Sequence, residues 1–275
     1  MGCAPSSDTS SSAGSAPEHT RPKFHAIADK YETYEELQQA LRKAGLESSN
    51  LVVAIDYTKS NEWSGEKSFG GKCLHSIDPS GFVVNPYQSV IYIMGHTLEA
   101  FDDDKLIPTL GFGDTRTSCV SFFNLGVNSA PCRGLAEVLD RYKQVTPFVQ
   151  LSGPTNFAPV IHETIRIVQQ SRQYHILVII ADGQVSNATE TRNAIVAASN
   201  YPISIIMVGV GDGPWDMMKA FDNELPARRF DNFQFVEYTK VLLRNPTAPE
   251  VGFATAALME IPEQYSKIKQ LGMLL

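Results

Sequence analysis

Three oxygen-bearing side chains follow one another at alternate positions directly after a short apolar segment. The segment spans residues 51–55, and the side chains are those of Asp56, Thr58 and Ser60. While a chain stays extended, alternate residues point to the same side. One carboxylate and two hydroxyls are therefore expected to converge just past the end of a strand, where they could bind a hard metal cation.

Two more oxygen ligands are expected to join this group from distant parts of the chain. Asp182 follows a second apolar run, residues 176–181, and Thr155 lies in a Ser-Gly-Pro-Thr-Asn loop that opens a predicted helix. In an open α/β sheet, ligands bind outside the carboxyl ends of the strands, where these residues would meet. Together with the first group they predict one metal site made of carboxylates and hydroxyls.

The chemistry of these ligands indicates which metals the site would accept. Hard oxygen ligands suit Mg2+ or Mn2+, with Ca2+ as an alternative, and would not hold zinc or copper well. Because Mg2+ keeps several waters, the protein need not fill every position of the shell, and one could stay open for a carboxylate of a partner protein. Asp114, in a Gly-Phe-Gly-Asp segment, is a candidate for supporting the metal from outside the direct ligand set.

Helical and strand patterns alternate along most of the chain. Strands are predicted at residues 51–55, 106–112, 119–123, 176–181, 203–210 and 234–238. Helices are predicted at residues 33–43, from residue 86 onward, and at residues 135–143, 157–170, 189–199 and 215–221, with two more between residues 250 and 274. The strand at 119–123 is expected to run antiparallel to the preceding one. The alternation predicts an α/β fold with a doubly wound, mostly parallel sheet and helices on both faces.

Composition narrows the function classes. The chain carries a net charge of −7, which offers no basic face for nucleic acid. Its four cysteines, Cys3, Cys73, Cys119 and Cys132, form no Cys-x-x-Cys pair, so no structural zinc site is expected. No Ser/His/Asp or Cys/His arrangement can be traced, and the six histidines are scattered. We therefore expect a protein without enzymatic activity and without a small-molecule substrate.

The amino terminus carries a pattern for lipid attachment. The chain begins Met-Gly-Cys-Ala-Pro-Ser, which fits the N-myristoylation pattern at Gly2. Cys3 beside it is a candidate for palmitoylation. One myristoyl chain gives only marginal membrane binding, so a second acyl chain would be needed for a stable anchor. Residues 1–22, rich in Ser, Ala, Pro and Thr, are expected to form a disordered, acylated leader that tethers the protein to a membrane.

The spacing of the oxygen residues resembles the metal-ion-dependent adhesion site of von Willebrand factor A domains. That family's first motif is Asp-x-Ser-x-Ser, and Thr58 here keeps the hydroxyl of the first Ser. Other segments resemble the copine-type A domain, in the same order along the chain. They are residues 151–159 (LSGPTNFAP), 181–185 (ADGQV), 209–218 (GVGDGPWDMM), 221–222 (FD) and 230–236 (FDNFQFV). The resemblance covers about residues 24–270 and implies one copine-type A domain at residues 23–275.

The resemblance also implies how such a protein would work. Its A domain would bind protein partners through the metal, with an exposed Asp or Glu of the partner completing the metal shell. Neither a signal peptide nor an apolar run long enough to span a bilayer is visible. With its acylated leader, the protein is expected in the cytoplasm at the inner face of the plasma membrane or at another cytosol-facing membrane.

Two alternatives to a metal-dependent adaptor stay open at this point. The chain also resembles the copine-like domain of plant RING-type ubiquitin ligases, so it could be a substrate-recruiting or regulatory relative of them in protein ubiquitination. Ligase activity of its own is not expected, because a RING needs paired Cys and His ligands and no such cluster is visible. A scaffold that has lost its metal is the other alternative, which the intact set of oxygen residues disfavours.

Overall fold

A computed structural model describes residues 31–183, 185–225 and 228–274. The expected leader, residues 1–22, lies outside the described residues, and so do Gly2 and Cys3. The acylation and the boundary of the leader therefore stay predictions. Among the described residues, no helix combines the length and the apolar character that a membrane span requires.

The described residues contain eight strands, most of which form one largely parallel sheet. They are β1 (Asn50–Asp56), β2 (Leu106–Ile107), β3 (Thr109–Phe112), β4 (Phe123–Asn124), β5 (Cys132–Arg133), β6 (His175–Ala181), β7 (Ile203–Gly209) and β8 (Phe233–Glu237). The main sheet has the order β4-β3-β1-β6-β7-β8, and its neighbours are parallel except for β3 and β4. A small antiparallel sheet pairs β2 with β5. The long central strands are buried along their whole length, as is typical of a sheet covered on both faces.

Helices cover both faces of the main sheet. They are α1 (Tyr34–Lys43), α2 (Pro86–Leu98), α3 (Gly134–Val145), α4 (Ala158–Ser171), α5 (Ala188–Ala198), α6 (Asp216–Asn223), α7 (Tyr238–Arg244), α8 (Pro249–Leu258) and α9 (Ile261–Gln270). Side chains from α1–α3 and α7–α9 share one apolar core, and those from α4–α6 form a second core on the other face. Alternate residues of β1 enter the two cores, Val53 and Ile55 on one side and Val52 and Ala54 on the other. The doubly wound α/β fold predicted from the sequence is therefore confirmed.

Two helices begin where their capping residues predict. Thr33 accepts a hydrogen bond from Glu36 N–H ahead of α1, and the Glu36 side chain accepts one in return from the Thr33 backbone. Asn85 and Gln88 form the same reciprocal pair ahead of α2. Such capping boxes satisfy backbone N–H groups that have no partner within the helix. The second of them also fixes the end of α2 that lies nearest the candidate site.

The strand predicted at residues 106–112 is divided in the structure. Pro108 separates β2 from β3, because proline has no N–H to donate to a neighbouring strand. Leu106 and Ile107 pair with β5, whereas β3 joins the main sheet. The carbonyl of Pro108 still accepts a hydrogen bond from Val53 N–H at 3.0 Å. The prediction of one continuous strand was therefore wrong, although both halves are extended.

One further prediction needs correction, and one helix was not predicted at all. The strand expected at residues 119–123 is limited to β4 (Phe123–Asn124), since the preceding residues form a turn in which Ser118 N–H donates to Asp114 O at 2.8 Å. Its antiparallel pairing with β3 is confirmed. Helix α7 directly follows β8 and was not predicted, because it is short and has no side-chain cap to mark its start.

Candidate metal site

Asp56 and Asp182 lie side by side at the carboxyl ends of two adjacent parallel strands. Asp56 is the last residue of β1, and Asp182 directly follows β6, whose Ile180 pairs with Ile55 of β1. Both aspartates are buried, with 0% and 1% of their surface exposed. The parallel register therefore brings two residues that are far apart in sequence to one edge of the sheet.

Hydrogen bonds connect these aspartates through two hydroxyls. Ser60 Oγ donates to Asp182 Oδ1 at 2.9 Å, and the Thr58 and Ser60 hydroxyl oxygens are 3.1 Å apart. Because Ser60 has a single hydroxyl proton, Thr58 must be the donor in the second contact. Thr58 N–H in turn donates to Asp56 Oδ1 at 2.8 Å. Residues 56–60, called the metal loop below, thus form one connected polar group with Asp182.

The convergence of the hydroxyls does not arise as the sequence pattern suggested. Alternation along an extended chain explains the positions of Asp56 and Thr58, whose backbones are extended. Ser60, however, lies in a short 3-10 helix, Lys59–Glu62, for which Thr58 is the residue before the first turn. The expectation that the whole motif stays extended was wrong. The tight turn, and not an extended backbone, directs the Ser60 side chain toward Asp182.

Each carboxylate has one oxygen without a hydrogen-bond partner. Asp56 Oδ2 and Asp182 Oδ2 are both buried and unpaired among the described residues. Burial and repulsion from Asp182 raise the pKa of Asp56 well above its ordinary value. Burial also raises the pKa of Asp182, although the neighbouring hydroxyls of Ser64 and Ser60 oppose the change. Two buried carboxylates are costly as free anions, and a divalent cation bound by both would compensate their charge.

The donor set fits a hard divalent cation. No group of three or more His, Cys, Asp or Glu side chains that could hold a metal occurs within residues 31–183, 185–225 and 228–274. A cation here would therefore rely on two carboxylates, on the hydroxyls of Thr58 and Ser60, and on water. Mg2+ is bound in this way by proteins, with one or two carboxylates and several retained waters.

Thr155 lies in a loop beside this group and is joined to it through the backbone. Thr58 forms a parallel bridge with Ser152 of that loop, and Ser186 N–H, just beyond Asp182, donates to Thr155 O at 2.8 Å. Thr155 is buried, with 7% of its residue surface exposed. Its position next to the site agrees with the sequence prediction, and its role as a direct ligand stays a prediction.

Asp114 follows β3 at the same edge, but its carboxylate already has partners. Its Oδ1 accepts hydrogen bonds from the backbone N–H and the hydroxyl of Thr117, at 2.9 and 2.5 Å. The preceding Gly113 touches the site directly, since a Cβ there would lie 2.5 Å from Thr58 Cγ2 and 3.3 Å from Asp56 Oδ1. Support of a metal by Asp114 from outside the ligand set stays a prediction.

A loop that follows the metal loop is held down by the end of β7. Asp212 accepts hydrogen bonds from the N–H groups of Lys67 and Ser68, at 2.8 and 2.9 Å, and its own N–H donates to Ser64 O at 2.8 Å. Partial burial opposes ionisation of Asp212, but these hydrogen bonds prevail and lower its pKa. Ser64 Oγ donates to Ser60 O at 2.9 Å, so the anchored loop also supports the metal loop.

Close approach of this loop to β7 requires a glycine at position 211. Gly211 has a φ of +90°, and a Cβ there would lie 2.6 Å from Ser64 O. Gly45, with a φ of +102° and nothing within 4 Å of the Cβ position, is a matched control. We expect Gly45→Ala to cost about 1–2 kcal/mol of unfolding free energy, from the left-handed backbone alone.

Gly211→Ala should cost a further ~1–3 kcal/mol, because the backbone of Ser64 must move. Urea unfolding of both variants and the wild type measures the difference. Equal losses in the two variants would show that the contact between Gly211 and Ser64 is unimportant.

His75 lies directly beneath the metal loop, and sequence reasoning did not single it out. Its ring is stacked between Tyr57 and Tyr87, with centroids at 4.6 and 4.0 Å. Its Nε2 is 2.7 Å from the carbonyl oxygen of Asp56, and its Nδ1 is 2.8 Å from the hydroxyl of Tyr142. Burial lowers the pKa of His75 to about 3, so the ring is neutral. No spacing in the sequence links His75 to Asp56, because the contact depends on the fold of the intervening loop.

Large exposed apolar side chains occur in the loops around this edge of the sheet. They are Trp63, Phe82, Val120 and Phe148, which are 60%, 92%, 77% and 83% exposed. They lie in the segments that follow β1, precede α2, follow β3 and precede the loop of Thr155. These four residues are called the apolar rim below. Exposed aromatic side chains of this kind can supply contacts to a protein partner.

Comparison with known proteins identifies the family of this chain. Residues 73–275 match the copine family. E3 ubiquitin-protein ligase RGLG5 of Arabidopsis thaliana is 50% identical over 273 residues, which cover 94% of this chain and 62% of the ligase. Copine family protein 1 of Caenorhabditis elegans is 54% identical over 240 residues, covering 86% of this chain and 22% of that protein. The chain thus spans less than two thirds of the length of either relative.

A solved structure also matches, at much lower similarity. The crystal structure of the manganese-loaded Plasmodium vivax TRAP protein has 10% sequence identity and a TM-score of 0.48, with 74% of each chain covered. At that distance the match supports no statement about ligands of this chain.

The fold and the sequence comparisons define the class of the protein and then its family. It contains a doubly wound α/β domain with an acidic, hydroxyl-rich site at the carboxyl edge of its sheet. The match over residues 73–275 and identities near one half show that the chain belongs to the copine family. Its sequence is also related to plant E3 ubiquitin ligases, as the motifs implied.

Proposed function

We propose that this chain is an adaptor that binds protein partners through a divalent metal. Mg2+ or Mn2+, with Ca2+ as an alternative, would be held by Asp56, Thr58, Ser60, Thr155 and Asp182. An exposed Asp or Glu of the partner would complete the metal shell. The observation that carries this proposal is the pair of buried oxygens, Asp56 Oδ2 and Asp182 Oδ2, that have no hydrogen-bond partner among the described residues.

The proposed role is binding and not catalysis. The cation would supply the positive charge that a partner's carboxylate recognises, and the protein would hold it at an edge accessible to another protein. A metal–carboxylate contact is directional but buries little surface area, so tight binding would need additional buried surface. The apolar rim supports the proposal because its aromatic side chains can supply such contacts around the centre.

Membrane tethering and location complete the proposal. Acylation of Gly2 and Cys3 would hold the protein at the inner face of the plasma membrane or at another cytosol-facing membrane. Two acyl chains would suffice for a stable anchor, whereas one would not. We expect a Gly2→Ala variant expressed in cells to lose membrane binding, and cell fractionation measures this loss.

A second candidate function has its own supporting observation. The identity of 50% to an Arabidopsis thaliana E3 ubiquitin-protein ligase favours a role in protein ubiquitination. In that role the chain would recruit substrates or regulate a ligase, without performing the transfer itself. The same metal-dependent surface would then receive the substrate protein.

Isothermal titration of Mg2+ and Mn2+ tests the metal site. We expect saturable heat with the wild type and none with Asp56→Ala, because that change removes a carboxylate from the centre. Asp102→Asn is the matched control, because Asp102 is also buried but lies at the opposite end of β1 from the site. The neighbouring Phe101 O accepts a hydrogen bond from Ser49 N–H, just before β1 begins. Heat that survives Asp56→Ala, or its absence from the wild type, would contradict the proposal.

A further inference from the structure

The ring of His75 is enclosed on both faces and bonded at both nitrogens. Tyr57 and Tyr87 stack on its faces, and its residue is only 5% exposed. Its two nitrogens contact atoms of different kinds. Asp56 O, beside Nε2, can only accept a hydrogen bond, whereas the Tyr142 hydroxyl, beside Nδ1, can donate or accept. The contact with Asp56 therefore requires a proton on Nε2.

The hydroxyl of Tyr142 completes the assignment of protons. Asn85 Nδ2 donates to the Tyr142 oxygen at 3.2 Å, and Asn85 Oδ1, the other acceptor near that hydroxyl, lies farther from it, at 3.4 Å, than His75 Nδ1 does. The Tyr142 proton is therefore free to point at His75 Nδ1, 2.8 Å away. A directed chain runs from Asn85 through Tyr142 and His75 to the Asp56 carbonyl. It begins at the residue that caps α2 and ends in the metal loop.

The carbonyl of Asp56 depends on His75 more than on its other neighbours. Tyr87 is 3.2 Å from Asp56 O but 2.7 Å from Asn61 Oδ1, so its single proton goes to Asn61. Asn61 Nδ2 shares its protons between Thr58 O at 3.0 Å and Asp56 O at 3.3 Å. The contact from His75, at 2.7 Å, is the shortest that Asp56 O accepts from a side chain among the described residues. The peptide plane after Asp56 is thus held on both sides, by this bond at its carbonyl and by Tyr57 N–H, which donates to Phe112 O in β3 at 2.7 Å.

We propose that His75, held in its Nε2–H form by Tyr142, is a positioning residue that fixes the backbone of Asp56 and thereby the geometry of the metal loop. The inference rests on the proposed metal-dependent function and names residues outside the ligand set. Metal ligands are commonly oriented by such outer partners, whose loss weakens metal binding about 10–100-fold. Mg2+ should be affected more than Ca2+, because Mg2+ demands near-octahedral geometry while Ca2+ tolerates irregular shells.

Tyr142→Phe tests the proposal with a closely matched control. The change removes the hydroxyl that fixes the His75 ring, while leaving every metal ligand in place. Tyr174→Phe removes another buried tyrosine hydroxyl, whose bond to Ser204 Oγ is also 2.8 Å long but which lies at the other end of the strands. Both variants should lose similar stability. Only Tyr142→Phe should weaken Mg2+ binding, by about tenfold, with a smaller change for Ca2+.

Two changes at position 75 itself separate packing from hydrogen bonding. His75→Phe keeps a stacked ring and removes the donor, whereas His75→Gln restores an N–H group near the position of Nε2. We expect Mg2+ binding to fall in His75→Phe and to recover in part in His75→Gln. Nitrogen NMR of the wild-type protein reads the ring directly, with Nε2 protonated and Nδ1 bare before any metal is added.

The outcomes distinguish this inference from the proposed function. Wild-type binding of Mg2+ with equal affinities in Tyr142→Phe and Tyr174→Phe would overturn the positioning role alone. A proton on Nδ1 instead of Nε2 would overturn it as well, whether or not metal binds. Failure of the wild-type protein to bind Mg2+ or Mn2+ would remove the proposed function, and the positioning role with it.

Discussion

Replacing Asp56 with Asn is expected to stabilise the metal-free protein and to abolish its response to Mg2+. In excess EDTA, the change removes a buried carboxyl whose ionisation beside Asp182 is unfavourable, and it keeps an oxygen that can accept from Thr58 N–H. The unfolding free energy at pH 7 should therefore rise by about 1–3 kcal/mol, the usual cost of an unsatisfied buried polar group. Urea unfolding in EDTA measures it.

Added Mg2+ should make the wild type more stable than Asp56→Asn. The wild type gains stability by mass action, about 2.7 kcal/mol when free Mg2+ is a hundred times the dissociation constant, whereas Asp56→Asn gains none. Asp102→Asn should gain stability on addition of Mg2+ as the wild type does. A wild type that is indifferent to Mg2+, together with a less stable Asp56→Asn in EDTA, would mean that the carboxylate is satisfied by the protein and has no metal to bind.

Stability and metal affinity should depend on pH in opposite directions. The raised pKa values of Asp56 and Asp182 mean that, above the ordinary carboxyl value of about 4, the folded protein holds protons that the unfolded chain has released. Stability rises with pH only where the unfolded state binds more protons, so this pair makes stability fall as pH increases. The loss begins near pH 4 and continues until the raised pKa values are passed.

Metal binding must displace those same protons. The apparent affinity for Mg2+ is therefore expected to increase across that range, by up to about tenfold per pH unit for each proton released. Titration calorimetry at several pH values, in buffers of different ionisation enthalpy, counts the protons. An affinity that is independent of pH in this range would show that the aspartates are already ionised in the metal-free protein.

Two buried histidines also make the unfolding free energy depend on pH, and their contribution must be subtracted from that of the aspartates. Burial lowers the pKa of His75 to about 3 and also lowers that of His175. Below the ordinary histidine value of about 6.5, the unfolded chain therefore binds more protons at these positions, so they make stability rise with pH. The difference between the wild type and Asp56→Asn cancels this contribution. That difference should favour the variant increasingly as pH rises.

The sheet and the two aspartates were predictable because they follow from local pattern. An apolar run with no polar break, such as residues 176–181, indicates a strand buried on both faces, and a carboxylate directly after it must lie at the sheet edge. The alternation of elements predicts a parallel sheet with Asp56 and Asp182 at the same edge. That β1 and β6 are neighbours in this sheet comes from the observed strand order and could not be predicted from periodicity.

The support of the site could not be predicted from pattern. His75, Tyr142 and Asp212 act through contacts that depend on how loops return across the edge of the sheet, and no spacing rule connects them to the metal loop. Ser60 shows that spacing can also fail to predict the backbone conformation within a short motif. It lies in a 3-10 turn closed by backbone hydrogen bonds, such as that from Trp63 N–H to Ser60 O at 3.0 Å, and the alternation of oxygen residues does not indicate this turn.

Anomalous diffraction from crystals grown with Mn2+ tests most directly whether the metal loop and Asp182 hold a divalent cation. We predict one manganese peak at the carboxyl ends of β1 and β6, bound by oxygens of Asp56, Thr58, Ser60 or Asp182 directly or through water. The same crystals of Asp56→Asn should show no peak there. A peak at another place, or an empty site in crystals that hold ordered Mn2+ elsewhere, would contradict the assignment of these residues as a metal site.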